Sequence, residues 1–152
     1  MKVRLLCIFL LLCTLPAVGQ SPKQNDDAAK DAVEAVLSAQ RDAWNRHDLD
    51  AFMTGYWKSP ELTFFSGANE HDGWQAAIDR YHNAYTSAGH EMGKLEFSSL
   101  RIEVLGADAA FVRGMWRLTM SDGKTPHGLF TLIFRRFPEG WKIVHDHTSI
   151  AE

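Results

Sequence analysis

The polar and apolar residues of this chain change their spacing after its midpoint, from a helical period to a strand period. In the first half, apolar residues recur every three or four positions in two segments. One segment includes Val33, Leu37 and Trp44, and the other includes Trp74 and Tyr81. Such spacing places side chains on one face of a helix. The second half alternates apolar and polar residues, which is typical of strands. The pattern therefore predicts helices first and a sheet afterwards.

Residues suited to helix caps and turns set the limits of these elements. Asp26 or Asp27 is placed to cap the first helix. Asp48 is placed to cap a short second helix, and Asp72 the third. Short connections rich in glycine and aspartate separate the later segments, which indicates antiparallel neighbours. The chain is therefore predicted to be an α+β domain with three N-terminal helices packed on a curved, mainly antiparallel sheet. The predicted strands cover residues 62–65, 94–105, 109–120, 127–137 and 141–150.

The first 19 residues have the composition of a secretory signal peptide. Lys2 and Arg4 precede the apolar run 5–15, and the small residues 17–19 provide a cleavage site. The apolar run is much shorter than the ~20 residues that a membrane-spanning helix needs. We therefore expect residues 1–19 to be removed and the mature protein to be exported, to the periplasm or outside the cell, without a membrane anchor.

The rest of the chain is predicted to form a single domain. Residues 20–27 are polar, contain Pro22 and lack periodicity, so they predict a disordered lead-in. Residues 28–152 are long enough for one domain with a sizeable core. Cys7 and Cys13 both lie in the signal peptide. The mature protein is therefore expected to have neither a disulfide nor a thiol nucleophile.

The charge of the chain argues against a nucleic-acid partner. The formal net charge is −3. Removal of Lys2 and Arg4 with the signal peptide makes the mature protein more acidic. No basic run occurs elsewhere in the sequence. A negatively charged chain without a basic patch is not suited to bind phosphate backbones.

The last predicted strand concentrates the candidate chemistry. Residues two apart on a strand share a face, so His145 and His147 are expected to point to the interior with Trp141 and Ile143. Asp146 is expected to face water. Because buried imidazoles need polar partners, this face indicates the wall of a cavity better than a sealed core.

The order of the elements and the closing stretch 140–149 resemble the nuclear transport factor two-like superfamily over residues 28–152. Within it, the chain is similar to the SnoaL-like and ketosteroid-isomerase-like group, many of whose members have no assigned function. The closing stretch, with Trp141, His145 and His147, is also similar to the end of the calcium/calmodulin-dependent kinase II association domain. The resemblance implies a cone-shaped domain, usually dimeric, whose cavity serves isomerases, dehydratases, hydrolases and assembly modules.

The sequence departs from the enzymes of this group. Ketosteroid isomerases place a tyrosine on the first helix and an aspartate base across the cavity. Here the inner face of the first helix offers Gln40 and Trp44. Tyr56 or Tyr81 is available to replace the missing hydroxyl, but no acidic residue is expected on an inward strand position. Isomerase activity is therefore not implied by the resemblance.

Aromatic and histidine side chains that are expected to face the interior define a candidate ligand pocket. Small-molecule sites combine apolar walls with a few polar groups. We expect His147, nearer the open end of the strand, to be the polar centre of the cavity and a candidate general base. His145 is expected to support it by hydrogen bonding. The predicted pocket residues are Trp44, Tyr56, Trp57, Tyr81, Trp116, His145 and His147.

The pair His145 and His147 is open to three interpretations. The imidazoles line the wall and serve only the structure, or contact an organic ligand, or coordinate a metal. Zinc or iron needs a third ligand, and His71, His127 and Glu70 are only loosely placed by the sequence. We therefore expect no metal and no other cofactor.

Two functions of different classes fit these observations. The first is an exported domain that binds a small apolar or aromatic molecule, with or without catalysis through a histidine. The second is a non-catalytic assembly module with a vestigial pocket. In both cases we expect a homodimer, because Phe111 and Met115 alternate with Arg113 and Arg117 on the sheet face away from the helices, where an uncovered sheet would be polar.

Overall fold

The computed structural model describes residues 22–151, which form three helices and a six-stranded sheet. The α+β prediction, with its mainly antiparallel curved sheet, is confirmed. The predicted signal peptide, residues 1–19, lies outside the described residues. Within them, no helix is long and apolar enough to cross a lipid bilayer. The elements are α1 (Pro22–Asn45), α2 (Leu49–Met53), β1 (Thr63–Ser66), β2 (Asn69–Asp72), α3 (Trp74–Tyr81) with a π-helical turn (His82–Thr86), β3 (Lys94–Val104), β4 (Ala109–Thr119), β5 (His127–Phe137) and β6 (Gly140–Thr148).

Strand β6 lies in the sheet between the hairpin β1–β2 and the strands β5, β4 and β3. The strand order of the sheet is β2-β1-β6-β5-β4-β3. Strands β3 to β6 form an antiparallel meander, as the short turns predicted. The hairpin β1–β2 joins the sheet because β1 pairs in parallel with β6. Strand β6 therefore has a hydrogen-bonded neighbour on each side, β1 on one and β5 on the other.

Helix α1 packs the predicted face on the sheet but begins earlier than expected. Val33, Leu37 and Trp44 are buried. The helix starts at Pro22, so residues 22–27 are helical and the prediction of a disordered lead-in is wrong for them. Proline suits the first helical turn because its fixed φ is helical and its missing N–H is not needed there. Once a helix has formed, extending it by one residue costs little free energy, so α1 can continue through these polar residues.

One of the two later cap predictions holds. Asp48 caps α2, since the amide of Ala51 donates to its Oδ1 at 2.9 Å. Asp72 does not cap α3, because it is the last residue of β2 and pairs with Thr63. Gly73 stands before α3 with φ of 87°, a conformation that glycine adopts without strain. The hairpin β1–β2 therefore leads directly into α3.

Strand β6 contains a β-bulge at Val144. On β5, the consecutive residues Ile133 and Phe134 pair with His145 and Ile143. Val144 is therefore an extra residue that has no partner in this register. One extra residue reverses the alternation of side chains beyond it.

Beyond the bulge, the side chains of β6 that face the helices and those that face away are exchanged. Before it, Trp141 and Ile143 are buried, as predicted. Beyond it, Asp146 is only 4% exposed, whereas His147 is exposed. The prediction that His145 and His147 point inward and Asp146 outward is therefore wrong, because strict alternation does not continue through a bulge.

An apolar strip crosses the face of the sheet that points away from the helices. Met115 pairs with Leu129, and Phe111 pairs with Ile133. Leu129 is 61% exposed and Ile133 is 38% exposed. His145 extends the strip, since it pairs with Ile133. An apolar surface of this kind commonly marks a protein interface.

We expect the protein to be a homodimer joined through this apolar strip. Leu129→Glu should give a monomer, because burying an unpaired carboxylate in an interface costs several kcal/mol. Sedimentation velocity at micromolar concentration measures the mass. Leu105→Glu is the matched control, since Leu105 is 56% exposed in the turn after β3, and it should remain dimeric. A wild-type monomer at these concentrations would contradict the expectation.

Candidate functional site

A cavity of about 390 Å³ lies between the helices and the inner face of the sheet. Its size is within the range of roughly 300–1,000 Å³ that is usual for small-molecule sites. Every helix and all six strands contribute to its wall. The aromatic lining consists of Trp44, Phe52, Tyr56, Phe64, Tyr81, Tyr85, Phe97, Trp116 and Phe130.

Trp44 anchors the helical side of the cavity. Its indole N–H donates to the carbonyl oxygen of Met92 at 3.0 Å, which fixes the ring against the segment before β3. Its ring meets Phe52 and Tyr85 edge-on, with centroids 5.2 and 4.8 Å apart. Edge-to-face pairs of this kind are favourable for aromatic rings. The aromatic wall is therefore held by its own packing and by a hydrogen bond.

Three polar side chains form a hydrogen-bonded chain in this apolar wall. The hydroxyl of Tyr56 donates to Oδ2 of Asp146 at 2.7 Å. The hydroxyl oxygens of Tyr56 and Tyr81 are 3.1 Å apart. Since Tyr56 uses its proton on Asp146, Tyr81 is the donor of this second bond. The chain links β6, the segment after α2, and α3.

Asp146 is the least satisfied member of this chain. Its second oxygen, Oδ1, is buried and has no hydrogen-bond partner within residues 22–151. Burial raises the pKa of Asp146 to about 7, and the hydrogen bond from Tyr56 and the charge of Arg80 only partly oppose this rise. Near neutral pH the carboxyl is therefore present in both forms. When it is neutral, its proton belongs on Oδ1, because Oδ2 already accepts from Tyr56.

The two tyrosines remain protonated at neutral pH. Burial raises the pKa of Tyr56, and the nearby Asp146 raises it further. Burial also raises the pKa of Tyr81 above its ordinary value. Both hydroxyls are thus hydrogen-bond donors, and Asp146 is the member of the chain that exchanges a proton near neutral pH.

Arg80 brings a positive charge to the same cavity. It extends from α3 and donates from Nη2 to the Oγ of Ser66 at 2.8 Å. Its guanidinium carbon lies 5.1 Å from the centre of the Phe64 ring and 5.3 Å from that of Tyr81. Cations are favourable over aromatic faces. The exposed residues Gly67 and Asn69, which also line the cavity, place this end of it at the surface.

Four of the seven predicted pocket residues line the cavity. These are Trp44, Tyr56, Tyr81 and Trp116. Trp57 does not line it, because its ring stacks on Phe137 with centroids 5.3 Å apart. Tyr56 and Trp57 were both expected in the pocket, but only Tyr56 lines it.

The two histidines lie on the opposite face of the sheet. The Nδ1 of His145 is 2.6 Å from the hydroxyl of Thr63. Phe65 contacts His145 and His147 edge-on, with centroids 5.0 and 5.9 Å away. Burial lowers the pKa of His145, and His147 lowers it further. The histidines therefore have no access to the cavity, and the predicted general base His147 has no geometry for that role.

Sequence reasoning missed Asp146 and Arg80. Asp146 stands between the two histidines, and only the bulge before it reveals that it points inward. Arg80 precedes Tyr81 on a helix whose apolar face was recognised, yet a long side chain at the edge of that face also reaches the cavity. Among residues 22–151, no group of three or more histidine, cysteine or acidic side chains is arranged to hold a metal ion.

The raised pKa of Asp146 predicts a pH dependence of stability. An unfolded aspartate ionises near its ordinary pKa of 3.8, and the folded one near 7. Between these values the folded state holds a proton that the unfolded state has lost. The contribution of Asp146 to the free energy of unfolding should therefore fall by about 1.4 kcal/mol per pH unit as the pH rises, and level off above pH 7.

Urea denaturation from about pH 4.5 to about pH 8 measures this effect. Asp146→Asn removes the titrating group but still accepts from Tyr56, so its stability relative to the wild type should increase with pH and then become constant. Ser98→Ala, an exposed residue of β3 without a titratable group, is the control and should keep the wild-type slope. A difference between Asp146→Asn and the wild type that does not change with pH would contradict the assignment.

Comparison with known proteins identifies the family. The model of the SnoaL-like domain matches residues 33–152. No curated protein matches the chain. The solved structure of a nuclear transport factor 2-like protein of unknown function from Shewanella oneidensis is 36% identical, with a TM-score of 0.73, and the alignment covers 79% of this chain and 98% of the other.

More distant structures share the fold. A nuclear transport factor 2-like superfamily protein from Salmonella enterica is 22% identical, with a TM-score of 0.65 and coverage of 81% of this chain and 91% of that one. LinA is 18% identical, with a TM-score of 0.70 and coverage of 86% and 90%. The chain therefore belongs to the SnoaL-like family of the nuclear transport factor 2-like superfamily.

Proposed function

We propose that this domain binds a small, largely apolar molecule with one oxygen function in its cavity, and that Asp146 exchanges a proton with the bound molecule. The domain would then be a ketosteroid-isomerase-like or dehydratase-like enzyme. One observation carries it: a buried carboxyl group, one of whose oxygens has no partner within residues 22–151, is among the residues that line a largely aromatic cavity. Buried polar groups in proteins almost always have hydrogen-bond partners, so this oxygen is expected to receive its partner from a bound molecule.

The walls of the cavity favour an apolar or aromatic ligand. Trp44, Phe97, Trp116 and Phe130 contribute rings from α1 and from three strands. Trp116 is held by a hydrogen bond from its indole N–H to the carbonyl oxygen of Ser149 at 2.9 Å. Rings that are fixed in this way provide apolar contact area at little cost in side-chain entropy.

Asp146 has the properties of an acid and a base for this ligand. As a neutral acid, it can donate from Oδ1 to a carbonyl or hydroxyl oxygen. As a carboxylate, it can accept a proton from an acidic C–H or O–H group. Both forms are present near pH 7, where proton transfer by a side chain is most effective. Tyr56 stabilises the carboxylate by its hydrogen bond, and this bond fixes the orientation of the group.

The assembly module is the second candidate, and the apolar strip on the outer face supports it. That function requires the outer face alone. It gives no reason to retain an aromatic cavity or to bury Asp146, which lowers stability at neutral pH when no ligand satisfies it. The two functions are compatible if the domain assembles through one face and binds through the other.

Binding is tested with 2-naphthol, which combines two fused aromatic rings with one hydroxyl group. We expect the wild type to bind it in isothermal titration calorimetry. Asp146→Ala should weaken binding about tenfold, because it removes the hydrogen bond to the hydroxyl group of the ligand. His147→Ala is the matched control and should bind like the wild type. A wild type that does not bind 2-naphthol, or an Asp146→Ala variant that binds equally well, would count against the proposal.

Proton transfer is tested with 2-tetralone, a bicyclic ketone with an acidic C–H beside its carbonyl group. In D2O the wild type should accelerate the exchange of this hydrogen, followed by proton NMR. Asp146→Asn should lower the rate at least about a hundredfold, as for loss of a general base. His147→Asn should retain it. If Asp146→Asn exchanges the hydrogen as fast as the wild type, Asp146 is not the base.

A further inference from the structure

Arg80 brings to the cavity a cation that uses little of its hydrogen-bonding capacity within residues 22–151. Arg80 is partly buried and lines the cavity. A guanidinium has five N–H donors, and the bond to Ser66 uses one of them. None of the ion pairs formed within residues 22–151 includes Arg80. In the part of the chain that the structure describes, the positive charge of Arg80 therefore has no anionic partner in direct contact.

The acid of the cavity does not neutralise Arg80. Asp146 and Arg80 influence each other, since the charge of Arg80 lowers the pKa of Asp146. Burial outweighs this effect, and below pH 7 the carboxyl is mostly neutral. Under these conditions the lining of the cavity carries a net charge of about one positive unit, because Arg80 is the one basic residue among the described residues that line it. A complementary ligand carries one negative charge.

The surroundings of Arg80 favour a planar anion. The guanidinium lies over the rings of Phe64 and Tyr81, which restrict its plane. Its fork of N–H groups matches the two oxygens of a carboxylate. Ser66 and Asn69 of the β1–β2 hairpin add polar groups at the same end of the cavity, whereas the rings of α1 and β3–β5 supply apolar contacts elsewhere. A doubly charged phosphate would leave one charge unbalanced in this site.

We propose that the ligand of this cavity is an aromatic or alicyclic monocarboxylate, with its carboxylate on Arg80 and its ring system among the aromatic side chains. The inference rests on the proposed function, because it names the class of molecule that the cavity binds. It also assigns separate roles to the two charged residues. Arg80 selects and orients the ligand, and Asp146 acts on it.

The test compares 2-naphthol with 6-hydroxy-2-naphthoate, which has the same rings and hydroxyl group and adds one carboxylate. Calorimetry at about pH 6 keeps the ligand ionised and Asp146 mostly neutral. The wild type should bind 6-hydroxy-2-naphthoate about tenfold to a hundredfold more tightly than 2-naphthol, as expected for a charge-assisted pair. Equal affinities in the wild type would overturn the inference and leave the proposed function in place.

Variants of Arg80 test whether the preference for the carboxylate ligand depends on this residue. Arg80→Met keeps the length of the side chain without its charge, and the ratio of the two affinities should fall to about one. Arg80→Lys keeps the charge but not the fork, and should retain part of the ratio, which preserves the test if the methionine variant does not fold. Arg101→Met, an exposed arginine on β3, is the control and should keep the full ratio. A full ratio in Arg80→Met would overturn the role of Arg80, whereas failure of the wild type to bind either molecule would overturn the proposed function itself.

Discussion

The hydrogen bond between Tyr56 and Asp146 connects the helical layer to the sheet, and the polar part of the cavity depends on it. Tyr56 is positioned by the backbone, since the amide of Ile143 donates to Gly55 and the amide of Trp57 donates to Ile143, both at 2.9 Å. This short parallel bridge holds the tyrosine beside β6. The hydroxyl therefore reaches Asp146 without freedom to move away.

Close packing behind this bridge leaves no room for a side chain. A Cβ atom at Gly55 would come within 2.7 Å of Gln40 on α1. Gln40 in turn donates from Nε2 to the carbonyl oxygen of Phe52 at 3.2 Å, so it is itself fixed. Interiors packed at this density transmit small displacements. The position of Tyr56, and with it the distance to Asp146, thus depends on how α1 packs against α2 and the residues that follow it.

The fold and much of the aromatic wall of the cavity were predictable, because their elements follow regular periods. The polar part of the site was not, because it depends on exceptions to those periods. Alternation in β4 placed Val112, Trp116 and Leu118 on the inner face. The same rule gave the wrong face for Asp146, since nothing in the residues around Val144 distinguishes a bulged strand from a straight one. Functional sites are where local rules are expected to fail.

The bulge at Val144 also has a consequence for how such a protein diversifies. Which side chains of β6 face the cavity depends on the number of residues that separate them from the bulge, as well as on the residue types. Insertion of one residue between Val144 and His145, with the bulge retained, would turn Asp146 outward and bring both imidazoles inward. A single in-frame codon would then exchange a carboxylic acid for a histidine pair without any substitution. Related proteins with the same closing sequence can thus differ in their chemistry, and their sites correspond by distance from the bulge, not by alignment of the strand.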